Sequence, residues 1–125
     1  MENLKSMNKQ YIPERSDVIF LDFEPKKGKE IGKYRPALVL SSRDYNRKTG
    51  LLICCPISTS IRDHLNEVSI DGLKKPSVIA TSIVQTVSWE TRKAKFIQRA
   101  SDEIFESVLQ RLLPLLGAEQ FLGNS

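Results

Sequence analysis

The chain of 125 residues is 40% hydrophobic and 27% charged, which fits a single globular domain and excludes disordered, collagen-like and low-complexity classes. The 19 basic and 15 acidic residues give a formal net charge of +4. No apolar run approaches the roughly 18 residues of a membrane-spanning helix. The start, MENLKSMNKQYIPERSD, lacks the apolar core of a secretory signal, so the sequence predicts a cytoplasmic protein without a membrane segment.

Residues 1–15 are polar and lack periodicity, which predicts a mobile or loosely packed arm. A first strand is expected over residues 18–23, where β-branched and aromatic side chains predominate. The next stretch, 24–34, contains a proline, two glycines and four lysines, a composition typical of a polar loop. Because loops of this length in compact domains often carry function, this one is a candidate binding loop.

Two further strands are predicted at 37–40, directly after Arg35-Pro36, and at 51–57. Between them, residues 42–49 predict one short helical turn that ends at Thr49-Gly50. Strands so close in sequence are expected to pair as antiparallel neighbours.

The second half of the chain predicts more strands and then a helix. Short strands are expected at 67–70, 78–80, 84–89 and 94–97. Beyond them the apolar spacing changes to three and four residues, which predicts an amphipathic helix over 101–117 with Ser101 as its N-cap.

Short strands followed by one amphipathic helix predict a mainly β fold with a C-terminal helix, in the form of a small, strongly bent barrel of six or seven strands. A flat sheet of this size would leave edges and one face exposed. We therefore expect one domain over residues 16–117, preceded by the arm and followed by a tail at 118–125.

The usual residues of metal or histidine catalysis are missing. The chain has a single histidine, His64, so a two-histidine ribonuclease mechanism is excluded, and no metal-ligand spacing or glycine-rich phosphate loop is present. The adjacent Cys54 and Cys55 are expected on opposite faces of a strand, where they cannot form an ordinary disulfide, as reduced core residues. The sequence therefore predicts no cofactor and no metal.

Basic residues concentrate in three segments, 26–35, 42–48 and 89–99. If folding brings the three together, they form a patch that attracts phosphate groups and steers nucleic acid to it. The alternative is three separate solvated loops.

Four sequence segments carry a family resemblance: DFEPKKGKE at 22–30, YRPALVLS at 34–41, YNRKTG at 45–50 and CPIST at 55–59. They resemble the MazF/PemK toxins of bacterial type II toxin–antitoxin systems, and in particular the MazF members. The resemblance runs from Tyr11 to Thr59 and resumes weakly near Trp89 and in the C-terminal helix.

The resemblance implies an SH3-like barrel of the CcdB/Kid type that assembles as a homodimer. It also implies an endoribonuclease that cleaves single-stranded RNA at short sequences without a metal, leaving 2′,3′-cyclic phosphate and 5′-hydroxyl ends. A cognate antitoxin is the expected protein partner.

The resemblance further implies roles for individual residues. Arg35 matches the family's catalytic arginine and suits the charge of a pentacoordinate phosphorus, because a guanidinium donates two hydrogen bonds. Ser58 matches the catalytic Thr or Ser, and Glu30 matches an acidic residue that is a candidate base. The expected RNA-binding residues are Lys27, Lys29, Lys33, Arg43, Thr59 and Gln85.

Each of these residues also has an interpretation that involves no catalysis or RNA binding. Arg35 is alternatively a brace for a carboxylate, Ser58 the end of a strand, and Glu30 a solvated loop charge. Phe23 and Trp89 either stack on bases or fill the core.

The chain departs from the family pattern at two places. Ser16 stands where the family has a glycine, and 81–85 replaces an Asp-Gln pair followed by a basic residue, with Gln85 in the basic position. The altered 81–85 segment leaves open a non-cleaving RNA- or protein-binding module on the same barrel. A gyrase-directed toxin of the CcdB kind is a further alternative, against which the Arg-Pro and Pro-x-Ser-Thr segments argue.

Overall fold

The computed structural model describes residues 10–23 and 34–122. Within these residues the chain forms seven strands and three helices. The strands are β1 (Asp17–Asp22), β2 (Tyr34–Val39), β3 (Leu51–Ser58), β4 (Glu67–Ile70), β5 (Ser77–Ala80), β6 (Gln85–Ser88) and β7 (Lys95–Arg99). The helices are α1 (Arg43–Thr49), α2 (Asp102–Leu115) and α3 (Ala118–Phe121).

The strands form one antiparallel sheet in the order β4-β5-β3-β2-β1-β7, and β6 pairs with β3 outside this path. Residues 51–54 of β3 pair with β6, whereas Ile57 and Ser58 pair with β5. Because β3 changes partner along its length, the sheet curls into a half-barrel, which confirms the predicted mainly β class with a C-terminal helix.

The sheet has an apolar cluster on each face. Alternate residues of one strand go to opposite clusters: Val18 and Leu38 lie in the first, Ile19 and Ala37 in the second. Helix α2 covers the first cluster through Val108, which is fully buried. Strands β1 and β2 are thereby buried from both sides along most of their length.

The second cluster contains Phe23 and Trp89, which are 6% and 4% exposed. The Trp89 indole N–H donates to the Asn46 carbonyl over 2.8 Å. Of the two interpretations left open by the sequence, core filling is therefore the one that the structure supports.

The packed domain begins before residue 16. Within the described part of the expected arm, Pro13 is fully buried and Tyr11 packs against the second cluster. The Tyr11 hydroxyl donates to the buried Asp17 carboxylate, whose other oxygen accepts from Arg99 Nη1 over 2.9 Å. The side chains of Tyr11, Ile12 and Pro13 thus hold the otherwise polar residues 10–15 against β1 and β7.

Both predicted helices are present, with the predicted N-cap at Ser101 and the predicted end at Gly50, and the structure adds an N-cap at Ser42. The Ser42 side chain accepts from the Tyr45 N–H at the start of α1, and Gly50 ends that helix in the left-handed conformation. Ser101 caps α2 by accepting from the Ile104 N–H. Part of the expected tail forms the single turn of α3.

Backbone strain at Ser16 generates a prediction. Ser16 is buried and has φ of 78°, a region that disfavours any residue with a Cβ. We expect Ser16→Gly to stabilise the fold by about 1 kcal/mol, which is about 4 °C in Tm for a domain of this size. Thermal and urea unfolding would measure it.

The matched control is Ser77→Gly, an equally buried serine in β5. It lies in ordinary extended backbone, so the same change is expected to destabilise. Equal destabilisation of both variants would contradict the strain at Ser16.

The two cysteines are free and buried, as predicted, one in each cluster. Burial, with the neighbouring Cys55, raises the pKa of the Cys54 thiol to about 12, and burial raises the pKa of Cys55 to about 11. In the unfolded chain both thiols have a pKa of about 8.5. Their contribution to stability is therefore complete below that pH and is lost as the pH rises towards the folded pKa values.

We expect neither thiol to react with a disulfide reagent at pH 8 until the chain unfolds, and the free energy of unfolding to fall between pH 9 and 11. Cys54→Val should reduce that fall, because it removes one of the two ionisations. Labelling of the native protein at the rate of the unfolded chain would show that the thiols are accessible.

Candidate active site

Arg35 and Ser58 come from neighbouring strands. On β2, Arg35 pairs with Leu21 of β1, and two residues further Ala37 pairs with Pro56 of β3. In an antiparallel pair each step forward on one strand is matched by one step back on the other. Continuing the register by two residues places Arg35 level with Ser58.

Strand alternation puts the two residues on one face of the sheet. Arg35 has the same orientation as Ala37, and Ser58 the same as Cys54, and both of those apolar residues belong to the second cluster. Gln85 is paired with Cys54 and shares the face. Arg35 and Ser58 therefore lie together at the margin of the second cluster, while Gln85 is on the same face but four residues back along β3, level with Cys54.

The Arg35 guanidinium is exposed, and no carboxylate among the described residues forms an ion pair with it. The bracing role considered for Arg35 has no support in this part of the chain. A guanidinium whose donors are open to solvent can present two N–H groups to a phosphate.

The Ser58 hydroxyl is oriented by its own loop. Its oxygen accepts from the Ser60 N–H over 2.9 Å, which leaves the hydroxyl hydrogen to be donated elsewhere. Within residues 10–23 and 34–122, no histidine or carboxylate is hydrogen-bonded to Ser58. The arrangement suits a donor to a bound anion rather than a nucleophile, which would need an adjacent base.

Other predicted residues lie elsewhere. Thr59, next to Ser58, faces the opposite side of the sheet, where it lines a hollow with Phe20 and Pro36. Arg43 begins α1, beyond the far end of β2, about 15–20 Å along the strand direction from Arg35. The structure does not bring Arg43 to Arg35.

Four predicted residues lie outside the described part of the chain: Lys27, Lys29, Glu30 and Lys33. Their roles stay predictions.

The described parts of the three basic segments do not gather around Arg35. Lys95 of the third segment lies over the Tyr34 ring, 5.6 Å from Nζ to the centroid, next to Arg35 of the first. In the second segment, Lys48 and Arg47 pair with Asp44 and lower its pKa. That segment is at the opposite end of β2, where it meets the third segment through the Trp89–Asn46 hydrogen bond but does not reach Arg35.

The structure adds residues that sequence reasoning missed. Arg92 donates to the Asp22 carbonyl over 3.1 Å and lies 6.0 Å from the Phe23 ring centroid, at the end of β1. Lys74 and Lys75, between β4 and β5, line the hollow beside Phe20. In the sequence, only the pairing of two lysines before a proline indicated Lys74 and Lys75.

In the described ranges there is no group of three or more side chains suited to bind a metal ion. None of the helices in those ranges has the length and apolar character to span a membrane.

Comparison with known proteins identifies the class. The family described as PemK-like, MazF-like toxin of type II toxin–antitoxin system matches residues 14–116. The chain is 32% identical over 111 residues to the endoribonuclease toxin MazF of Escherichia coli K12, covering 89% of this chain and 100% of the relative. It is 33% identical over 110 residues to the endoribonuclease toxin ChpB of the same organism, covering 79% and 90%.

Solved structures agree. A MazE–MazF crystal structure (Form-II) from Deinococcus radiodurans superposes with a TM-score of 0.80 at 32% identity, covering 86% of this chain and 98% of that one. The free MazF of that organism (Form-I) gives a TM-score of 0.77, also at 32% identity, with 86% and 99% covered. This chain belongs to the PemK/MazF-like family of toxins of type II toxin–antitoxin systems, which confirms the resemblance found in the sequence.

Proposed function

We propose that this toxin is a metal-independent, sequence-selective endoribonuclease that cleaves single-stranded RNA, with Arg35 and Ser58 at the scissile phosphate. The observation that carries the proposal is the placement of Arg35 level with Ser58 on one face of the sheet, derived from the β2–β3 register. Relatives at 32% and 33% identity are named endoribonucleases, which supports the same activity here.

The chemistry follows from the groups available. The ribose 2′-oxygen bonds to phosphorus while the bond to the 5′-oxygen breaks, giving a 2′,3′-cyclic phosphate and a 5′-hydroxyl. Negative charge grows on the equatorial oxygens of the pentacoordinate phosphorus, where the two donors of Arg35 and the hydroxyl of Ser58 stabilise it. The 2′-hydroxyl proton passes to a base and the 5′-oxygen gains a proton. Glu30 is our candidate for that base.

Sequence selection needs side chains that match base edges. Gln85 lies on the same face as Arg35, and its carboxamide offers both a donor and an acceptor. We propose that Gln85 reads a base of the RNA further along this face from the cleaved bond. Lysines 27, 29 and 33 would hold backbone phosphates, which gives affinity without sequence choice.

We propose a homodimer and a cognate antitoxin as the partners. The C-terminal end of the chain exposes a group of apolar side chains that the single chain leaves uncovered: Leu113, Leu115, Leu116, Phe121 and Leu122. Such a group is typical of a protein interface. Similar solved structures include MazE–MazF complexes, which supports an antitoxin partner. An RNA-cleaving toxin with these partners acts in the cytoplasm.

The test is cleavage of a long single-stranded RNA in excess EDTA, with fragment ends mapped by primer extension. The wild type should give discrete cuts with cyclic-phosphate ends. Arg35→Ala should lower the rate by about 10²–10³-fold, because it removes charge stabilisation in the transition state. Ser58→Ala should cost less, since one donor is lost.

The matched control is Arg47→Ala, which removes an exposed arginine paired with Asp44 at the far end of β2. It should cut at the wild-type rate. RNA that is bound but left intact by the wild type would favour the non-cleaving module, and unchanged cleavage by Arg35→Ala would remove Arg35 from the site.

A further inference from the structure

Aromatic side chains are exposed on the face of the sheet opposite Arg35. Phe20 of β1 and Tyr34 of β2 are 39% and 40% exposed, and their rings meet edge to face with centroids 6.4 Å apart. Lys95 of β7 lies over the Tyr34 ring and is paired in register with Phe20. Three neighbouring strands thus present two aromatic rings and a cation to solvent.

Next to Phe20 the surface opens into a hollow of about 380 Å³. Its floor is apolar, from Phe20, Pro36 and Ile97, and one wall is basic, from Lys74 and Lys75. No carboxylate in the described ranges forms an ion pair with either lysine. The hollow therefore combines a flat apolar surface with two cations available to a ligand.

The lysine wall is fixed in place by β7. Gln98 Nε2 donates to the Asp71 carbonyl over 3.0 Å. At Gly72, φ is +87°, and a Cβ there would lie 2.8 Å from the Gln98 side-chain oxygen. The positive φ favours glycine at this position, and the Gln98 side chain packs over it, so the segment before Lys74 and Lys75 lies against the strand beside the hollow.

Two residues that line the hollow are the chain neighbours of the two candidate catalytic residues. Pro36 on its floor follows Arg35, and Thr59 on its rim follows Ser58. Alternation puts the two pairs on opposite faces, so one ligand reaches both by passing around the end of β3, where Ser58 and Thr59 are adjacent. A flexible single strand can do this.

We infer that this hollow binds an unstacked nucleotide of the RNA next to the scissile phosphate, with its base on Phe20 and its phosphates against Lys74 and Lys75. Aromatic surfaces with adjacent cations are how proteins bind single-stranded nucleic acid, since every base has a face to stack. The positive charge of Lys74 and Lys75 attracts a polyanion and gives no advantage to a neutral ligand. The inference rests on the proposed ribonuclease function.

The test measures binding separately from cleavage. Each variant is made in the Arg35→Ala background, and its affinity for a fluorescent single-stranded RNA spanning a mapped cleavage site is measured by anisotropy. Phe20→Leu, which keeps an apolar side chain in the strand but removes the ring, should weaken binding by about 5–100-fold. Tyr45→Leu is the matched control, since that ring is 37% exposed on α1 beyond the far end of β2, and it should bind as the parent does.

The lysines are tested through salt dependence. The double variant Lys74→Ala/Lys75→Ala should lower the slope of log affinity against log salt concentration by about 1.4, at about 0.7 for each phosphate contact to a single strand. An RNA that is abasic next to the cleaved bond should bind the parent and Phe20→Leu equally, because the stacking partner is gone. In the cleaving chain, Phe20→Leu should raise KM and leave kcat nearly unchanged.

Parent-like RNA binding by Phe20→Leu and by the double lysine variant would overturn the inference. A synthetic peptide alternating glutamate and leucine is titrated in parallel. If Phe20→Leu weakens binding of that peptide but not of RNA, the hollow is a protein-docking site and the inference is wrong. A wild type that binds RNA through Phe20 yet does not cut would overturn the nuclease proposal and leave the subsite standing.

Discussion

The rest of this structure depends on the shared pairing of β3. One strand of eight residues pairs with β6 at its start, with β2 in its middle and with β5 at its end. On one edge of β3, β6 pairs with residues 51–54 and β5 with Ile57 and Ser58, while β2 pairs with the other edge, and the sheet curls where β5 replaces β6. The same register fixes where the strand delivers Ser58, since a slip by one residue would move that side chain to the opposite face and away from Arg35.

The far end of β2 is held by a buried polar network centred on Asn46. Its side-chain amide donates to the Pro13 carbonyl over 2.8 Å, and its side-chain oxygen accepts from the Ser41 hydroxyl over 2.6 Å. Its backbone carbonyl accepts from the Trp89 indole. A helix as short as α1 is marginal alone, so these bonds, which join it to the N-terminal segment and the β6–β7 turn, keep it in place. Removing the Asn46 amide would leave several buried partners unpaired at once.

Local patterns made the elements predictable. Apolar alternation located the strands, and the Thr49-Gly50 turn and Ser101 marked helix ends because caps are satisfied by neighbours in sequence. Tyr11 was placed in an arm because its anchor, Asp17, acquires its partner Arg99 only when β1 and β7 pair. A contact that depends on strand pairing leaves no periodic signal.

The site was predictable only through resemblance. Nothing in local spacing relates Arg35 to Ser58, since their proximity follows from the β2–β3 register. Arg43 and Arg35 are both predicted to contact RNA from the sequence, because the charge of a residue does not indicate at which end of a strand it lies. The sequence predicts no binding role for Lys74 and Lys75, because a short basic turn is usually only solvated.

The distribution of ion pairs decides where the modest excess of positive charge acts. At the far end of β2, the single carboxylate of Asp44 pairs with both Arg47 and Lys48, and the Arg43 backbone N–H donates to Glu14. At the other end, Arg35, Lys74 and Lys75 form no ion pair with any carboxylate in the described ranges. A net charge of +4 is small as an average over the surface. Because carboxylates pair with cations at the far end of the strand but not with Arg35, Lys74 and Lys75, these three cations remain available to attract an approaching polyanion.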